Sequence, residues 1–184
     1  EVMGRIENQE DLRLAALLHD VGKPPTLSVD DNGMRHFYRH EIIGADITEE
    51  FLKKYKYSNH ISETVTKLVR LHMRPTKLTD AGARRLLRDT GELFSKWRLL
   101  KEADACSCAK PIEEIISELN EFDSQVARII AKGEMKKLAI SGKDILELGL
   151  SPGPRIGIII RELEDLIIEK PEMNERDLLL EEVK

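Results

Sequence analysis

The run Leu14-Ala15-Ala16-Leu17-Leu18-His19-Asp20-Val21-Gly22-Lys23-Pro24 constrains this chain more than any other stretch. Its apolar residues Leu14, Leu17, Leu18 and Val21 follow the i, i+3, i+4, i+7 spacing of a helix with one buried face. Gly22 and the Pro24-Pro25 pair stop that helix. His19 and Asp20 therefore stand near the end of a buried helix, facing a loop. A carboxylate is costly to bury unless something pairs with it. A divalent cation pairs with both residues at once, and such a mixed nitrogen and oxygen donor set suits Mn, Fe, Co, Ni or Zn.

The rest of the chain reads as helices. Its 184 residues are enough for one ample core or a domain with an appendage. Aromatics are 4% and charged residues 34%, with Leu, Ile, Glu and Lys abundant, a balance that favours helices over a sandwich or barrel. In order, the spacing predicts helices from Asp11 to Val21, from about Arg39 to Tyr55, and from a Ser58 or Asn59 cap to before Pro75. Others follow from Thr79-Asp80 to Gly91, from Glu92 to Ser107 and from Lys110 to Lys132. A short helix capped by Ser141, a longer one from Arg155 to Glu169, and a last acidic one capped by Asn174 complete the series. Lys23 to Arg35 reads as a loop, and no stretch alternates convincingly at period two. The expected class is all-α, with a helical bundle over residues 1–134 and a small helical extension over residues 135–184.

Net charge is −5, which excludes a generally nucleic-acid-coating chain. The charge is uneven, however. Lys67 to Lys101 holds ten Lys or Arg and three acids, a local positive surface on an acidic protein. The two cysteines, Cys106 and Cys108, are two apart and point to different helix faces, so neither a disulfide framework nor a zinc site is expected. No signal peptide or apolar run of membrane-spanning length is visible, and a cytoplasmic setting with reduced thiols is expected.

The run around His19-Asp20 resembles the core of the HD-domain metal-dependent phosphohydrolases. His36-Phe37-Tyr38-Arg39-His40-Glu41 with Gly44-Ala45, Leu68-Val69-Arg70-Leu71-His72-Met73-Arg74-Pro75, and Leu146 to Gly157 with its Pro152-Gly153-Pro154 narrow the likeness. They are similar to the HD region of bacterial tRNA nucleotidyltransferases and poly(A) polymerase-like proteins, from about Asp11 to about Ile168. The resemblance implies metal ligands at His19, Asp20 and Asp104, with His40 and His72 at positions that contact phosphate or a second metal. It implies a divalent cation such as Mg, Mn, Ni, Co or Fe, and hydrolysis of nucleotide or RNA-end phosphoesters. Lys23, Arg39, His40, His72 and Arg74 would hold the remaining phosphate charge. His36 and His40 share a face if the helix already begins at His36. His60 matches no motif position.

The same likeness implies a further His upstream of the His-Asp helix. None precedes His19, and a chain without Met at position 1 is expected to be an excised domain. Because tRNA is the family's partner, Arg84, Arg85 and Arg88 are candidates for phosphate-backbone contacts, and their alternative is a solvated helix face. Arg155 adjoins Pro152-Gly153-Pro154, which is either a phosphate-binding helix terminus or a plain helix start. The alternative to an enzyme is a non-catalytic module that binds tRNA or mediates assembly.

Overall fold

The computed structural model describes residues 9–107 and 110–183. Its helices are α1 (Glu10–Leu18), α2 (Lys23–Thr26), α3 (His40–Lys54), α4 (Asn59–Leu71), α5 (Asp80–Thr90), α6 (Phe94–Ala105), α7 (Ile112–Ala131), α8 (Gly142–Glu147), α9 (Pro154–Glu169) and α10 (Arg176–Glu182). The described strands are β1 (Ser28–Val29) and β2 (Arg35–His36), paired antiparallel with Ser28 opposite His36. The fold is all-α.

The chain divides into two compact units. One holds Glu1–Lys77 and Asp89–Glu121, the other Leu78–Arg88 and Phe122–Lys184. Residues 135–184, the stretch expected as a helical extension, lie in the second unit.

In the first unit, α3 packs along α4, and α1 packs on both α4 and α6. Leu12, Ala15, Leu52, Val65, Leu68, Trp97 and Leu100 are closed to solvent. Each large apolar side chain buried this way contributes roughly 1.5–3 kcal/mol of transfer free energy. Local signals set the helix ends. The Ser58 hydroxyl accepts from the Ile61 amide at 3.3 Å and starts α4. The Trp97 indole N–H donates to the Leu71 carbonyl at 2.9 Å, a second bond to an acceptor that the Arg74 amide also meets beyond the end of α4.

The expected loop from Lys23 to Arg35 is more ordered than its composition implied. Pro24 and Pro25 do more than end α1: they occupy the first turn of α2, where a missing N–H costs nothing. Asp30 then closes a hairpin, its carboxylate accepting from the amides of Asn32 and Met34 at 2.9 Å each. His36 consequently lies on β2 rather than on the face of α3 that carries His40.

The second unit has its own core of Ile140, Ile145, Leu163, Ile167 and Leu179. A reciprocal Ser141–Asp144 capping box starts α8. Gly133, at φ +69°, follows the end of α7. Asn174 does not cap α10, whose cap position is Glu175. Its amide instead accepts from the Ala139 N–H at 2.8 Å and donates to the Lys137 carbonyl at 3.0 Å.

Candidate metal centre

Four helix ends of the first unit carry the site. His19 caps the end of α1, His40 opens α3, His72 caps the end of α4, and Asp104 is next to last in α6. Two features draw α1 and α3 together. Arg39 adopts a left-handed backbone (φ 61°), which turns the chain sharply into His40. Gly22 lies directly against α3: a Cβ there would stand 2.1 Å from the His40 carbonyl oxygen and 2.6 Å from the Gly44 nitrogen. Gly44 receives it, because a Cβ on Gly44 would itself be 3.2 Å from the Gly22 nitrogen.

The three imidazoles are oriented by one device. Each Nδ1 meets the carbonyl three residues earlier: His19 with Ala16 at 2.9 Å, His40 with Phe37 at 2.8 Å, His72 with Val69 at 2.7 Å. A carbonyl only accepts, so each Nδ1 carries a proton and each Nε2 is the atom left for the centre. The side chains of His19, His40 and His72 are 9%, 6% and 2% exposed. His40 Nε2 and His72 Nε2 face each other at 3.2 Å. In the neutral rings these are two lone pairs aimed at one another, an arrangement that calls for an electrophile beside them.

Asp20 supplies the anionic donor. Its Oδ1 is 3.5 Å from His40 Nε2 and 3.9 Å from His72 Nε2. Donor atoms of Asp20, His40 and His72 all lie within 4.8 Å of one another. Ligands bonded at about 2.0–2.2 Å around one ion sit on the order of 3.0–4.4 Å apart, so this group fits a divalent cation. The other carboxylate oxygen, Oδ2, is 3.3 Å from His19 Nε2 and 2.6 Å from the Lys23 ammonium. His19 Nε2 is also 3.5 Å from Asp104 Oδ1. Asp20 is thus shared between a His40–His72 side and a His19–Asp104 side.

The two sides differ in charge. Burial opposes a positive His19, but the hydrogen bonds to Asp104 and Asp20 override it and raise its pKa to about 10. A proton on Nε2 then lies between two carboxylates. Burial would raise the Asp20 pKa, yet His19 and Lys23 hold it well below the ordinary carboxylate range. Asp104 is held low by its hydrogen bond to His19. Burial pushes the His72 pKa down and keeps that ring neutral, the form that binds metal.

His19, Asp20, Lys23, His40, His72 and Asp104 therefore come together. Arg74 pairs with Asp89 at 3.1 Å, and Arg39 is exposed. His36 joins Asp30 at 2.9 Å and stacks on Tyr38. In the second unit, Arg84 is buried, donating to the Ile168 carbonyl at 2.6 Å and pairing with Glu134. Arg85 pairs with Glu169, Arg88 pairs with Asp165 at 2.7 Å, and Arg155 is exposed in the first turn of α9. Cys108 lies outside the described residues. Sequence reasoning read Gly22 only as a helix stop and gave Trp97 and Lys101 no part in the site. Lys101 donates to the His72 carbonyl at 3.1 Å. For the glycines a signal existed: a Gly inside a helix, as at Gly44, costs about 1 kcal/mol and implies a packing reason.

An all-α unit with buried histidines and half-buried aspartates converging from helix ends defines a His-Asp metal-binding class. The HD domain family matches residues 1–109, more than half of the chain, and the chain belongs to that family. Among characterised relatives, it is 37% identical to the A-adding tRNA nucleotidyltransferase of Deinococcus radiodurans, over 84% of this chain and 37% of that protein. It is 28% identical to the CC-adding tRNA nucleotidyltransferase of Thermus thermophilus, over 83% of this chain and 35% of the relative. With the CCA-adding enzyme of Streptococcus agalactiae it shares 25% identity over 97% of this chain and 41% of the relative. The chain therefore spans well under half the length of these relatives. Among the described residues, no helix is long and apolar enough to cross a membrane.

Proposed function

We propose that this HD domain is a divalent-metal-dependent phosphohydrolase that cleaves nucleotide or RNA-end phosphoesters, within a protein of the tRNA nucleotidyltransferase kind. The observation that carries the reading is the pair of histidine Nε2 atoms, 3.2 Å apart beside an Asp20 oxygen. Asp20, His40 and His72 would hold the cation on one side of the shared carboxylate, and Asp104 would extend the donor set on the other together with His19, once a cation displaces the proton from its Nε2. A divalent cation so held lowers the pKa of bound water and neutralises a phosphoryl oxygen. Lys23, fixed at 2.6 Å from Asp20, offsets phosphate charge at the cleft. Asp20 and Asp104 keep side-chain exposures of 38% and 29%, which leaves the cluster open to a substrate.

A second reading, a non-catalytic module that binds tRNA, is favoured by the names of the relatives. It would use Arg85, Arg88 and Arg155. The experiment that separates the two combines metal analysis of the purified chain with hydrolysis assays over a series of divalent cations. Asp20→Ala should lower cation-dependent hydrolysis at least about 100-fold while the helical circular dichroism persists. An unchanged rate in that variant, or no hydrolysis with any cation, would remove the enzymatic reading.

A further inference from the structure

A cavity of about 370 Å³ in the first unit opens on the Asp104 side of the metal centre. Asp104 forms part of its wall while its Oδ1 reaches His19. Lys101 forms another part and holds the carbonyl of His72. The cavity is thus joined to the centre through two of its groups. Its floor is apolar, made by Ala105, Ile115 and Leu119, and Lys110 stands at the rim. Counting all lining residues, three lysines face two carboxylates, Asp104 and Glu118, so the cavity carries an excess of one positive charge.

We propose that this cavity receives the nucleoside part of a phosphoester whose phosphate lies at the metal centre, which makes Ala105, Ile115 and Leu119 specificity-determining residues. The assignment rests on the phosphohydrolase reading above and adds to it where the organic part of the substrate goes. Three properties carry it. The volume is at the lower end of the range for small-molecule sites, about 300–1,000 Å³, and suits one nucleoside rather than a length of duplex. An apolar floor with a few polar groups at its edge matches the face and edge of a base. The excess positive charge of the whole lining complements the negative charge of a phosphate ester at the adjoining centre. A small polyol phosphate would leave the Ile115 and Leu119 surface uncovered and gain nothing from it.

The test is calorimetric titration of the Mn(II)-loaded chain with two non-hydrolysable phosphonate analogues, one of adenosine monophosphate and one of ribose 5-phosphate. The adenosine analogue is expected to bind at least tenfold more tightly. Ala105→Phe, which fills the cavity, should bring that ratio below about threefold. Should thermal melting show that this variant is unfolded, Ile115→Ala, which trims the apolar floor, should still cut the ratio at least threefold. Equal affinities in the parent chain, no binding of either analogue, or an unchanged ratio in the folded variants would overturn the proposal. Preferential binding of the adenosine analogue with no turnover of the nucleotides themselves would uphold the cavity assignment and remove the hydrolase reading instead.

Discussion

Gly22→Ala should separate the two halves of the metal centre. The added Cβ would stand 2.1 Å from the His40 oxygen and 2.6 Å from the Gly44 nitrogen, both of them backbone atoms that no rotamer change can move. Carbon contacts settle at about 3.5–4.0 Å, so the loop after Asp20 and the first turn of α3 must part by more than about 1 Å. Metal sites tolerate about 0.2 Å in ligand position. The Asp20 and His40 donors, now 3.5 Å apart, therefore leave the range in which one ion bridges them. Overpacking of this size costs about 1–3 kcal/mol of stability. A ligand misplaced by about 1 Å should cost on the order of 100-fold in cation affinity, by analogy with the rate lost to misplaced catalytic groups. Gly44→Ala is the internal comparison. Its Cβ meets the Gly22 nitrogen at 3.2 Å, which a few tenths of an ångström relieves, so its loss should be much smaller. Chelator competition for Mn(II), together with thermal melts, reads both effects. A Gly22→Ala chain that binds within twofold of the parent, or that outperforms Gly44→Ala, would refute the close-approach argument.

Two further outcomes follow from the charges. Because His19 is raised to about 10 when folded, its contribution to stability is fully present below about pH 6.5 and is lost as the pH rises through about 10. Metal-free protein in chelator should therefore melt at progressively lower temperature from pH 6.5 to 10, and a melting temperature that stays flat, or a His19→Gln chain with the same decline, would reject this. In the second unit, Arg84→Ala strands the buried Ile168 carbonyl and Glu134, and should cost about 3–5 kcal/mol by urea denaturation. The exposed pairs of Arg85 and Arg88 should cost no more than about 1 kcal/mol each, and comparable losses at all three positions would contradict the burial argument.

The helices were legible because each carries its own punctuation. Ser58, Gly133, Ser141 and Pro154 act through the backbone within a few residues, and the structure has boundaries within one or two residues of each, whereas α4 ends at Leu71, four residues before Pro75. The hairpin was not legible, because two-residue strands have no period to detect and depend on the Asp30 carboxylate for closure. Asn174 was read as a cap because Asn commonly caps, and nothing local shows that its amide is engaged by Lys137 and Ala139, more than thirty residues away. For the arginines of the positive stretch, charge is visible in sequence and its partners are not. Glu134, Asp165 and Glu169 lie far along the chain.

The placing of histidines at helix ends has a physical basis beyond the likeness of the motifs. A helix leaves its last carbonyls without partners, and α1 and α4 both end on a histidine. That histidine can turn its Nδ1 back onto the open carbonyl three residues earlier, and His19 and His72 do so at 2.9 and 2.7 Å. One hydrogen bond then satisfies the helix terminus, selects the tautomer and aims Nε2 away from the helix. A histidine in the middle of a helix has no open carbonyl beneath it and gains none of this orientation. Where each Nε2 goes next depends on where the helix ends meet, and sequence spacing does not contain that. Here it is set by Gly22 against Gly44, and by Trp97 and Lys101 holding the end of α4. Helix-ending histidines can therefore be read from a sequence as oriented donors, while the packing of small residues and one buried tryptophan decides whether they converge.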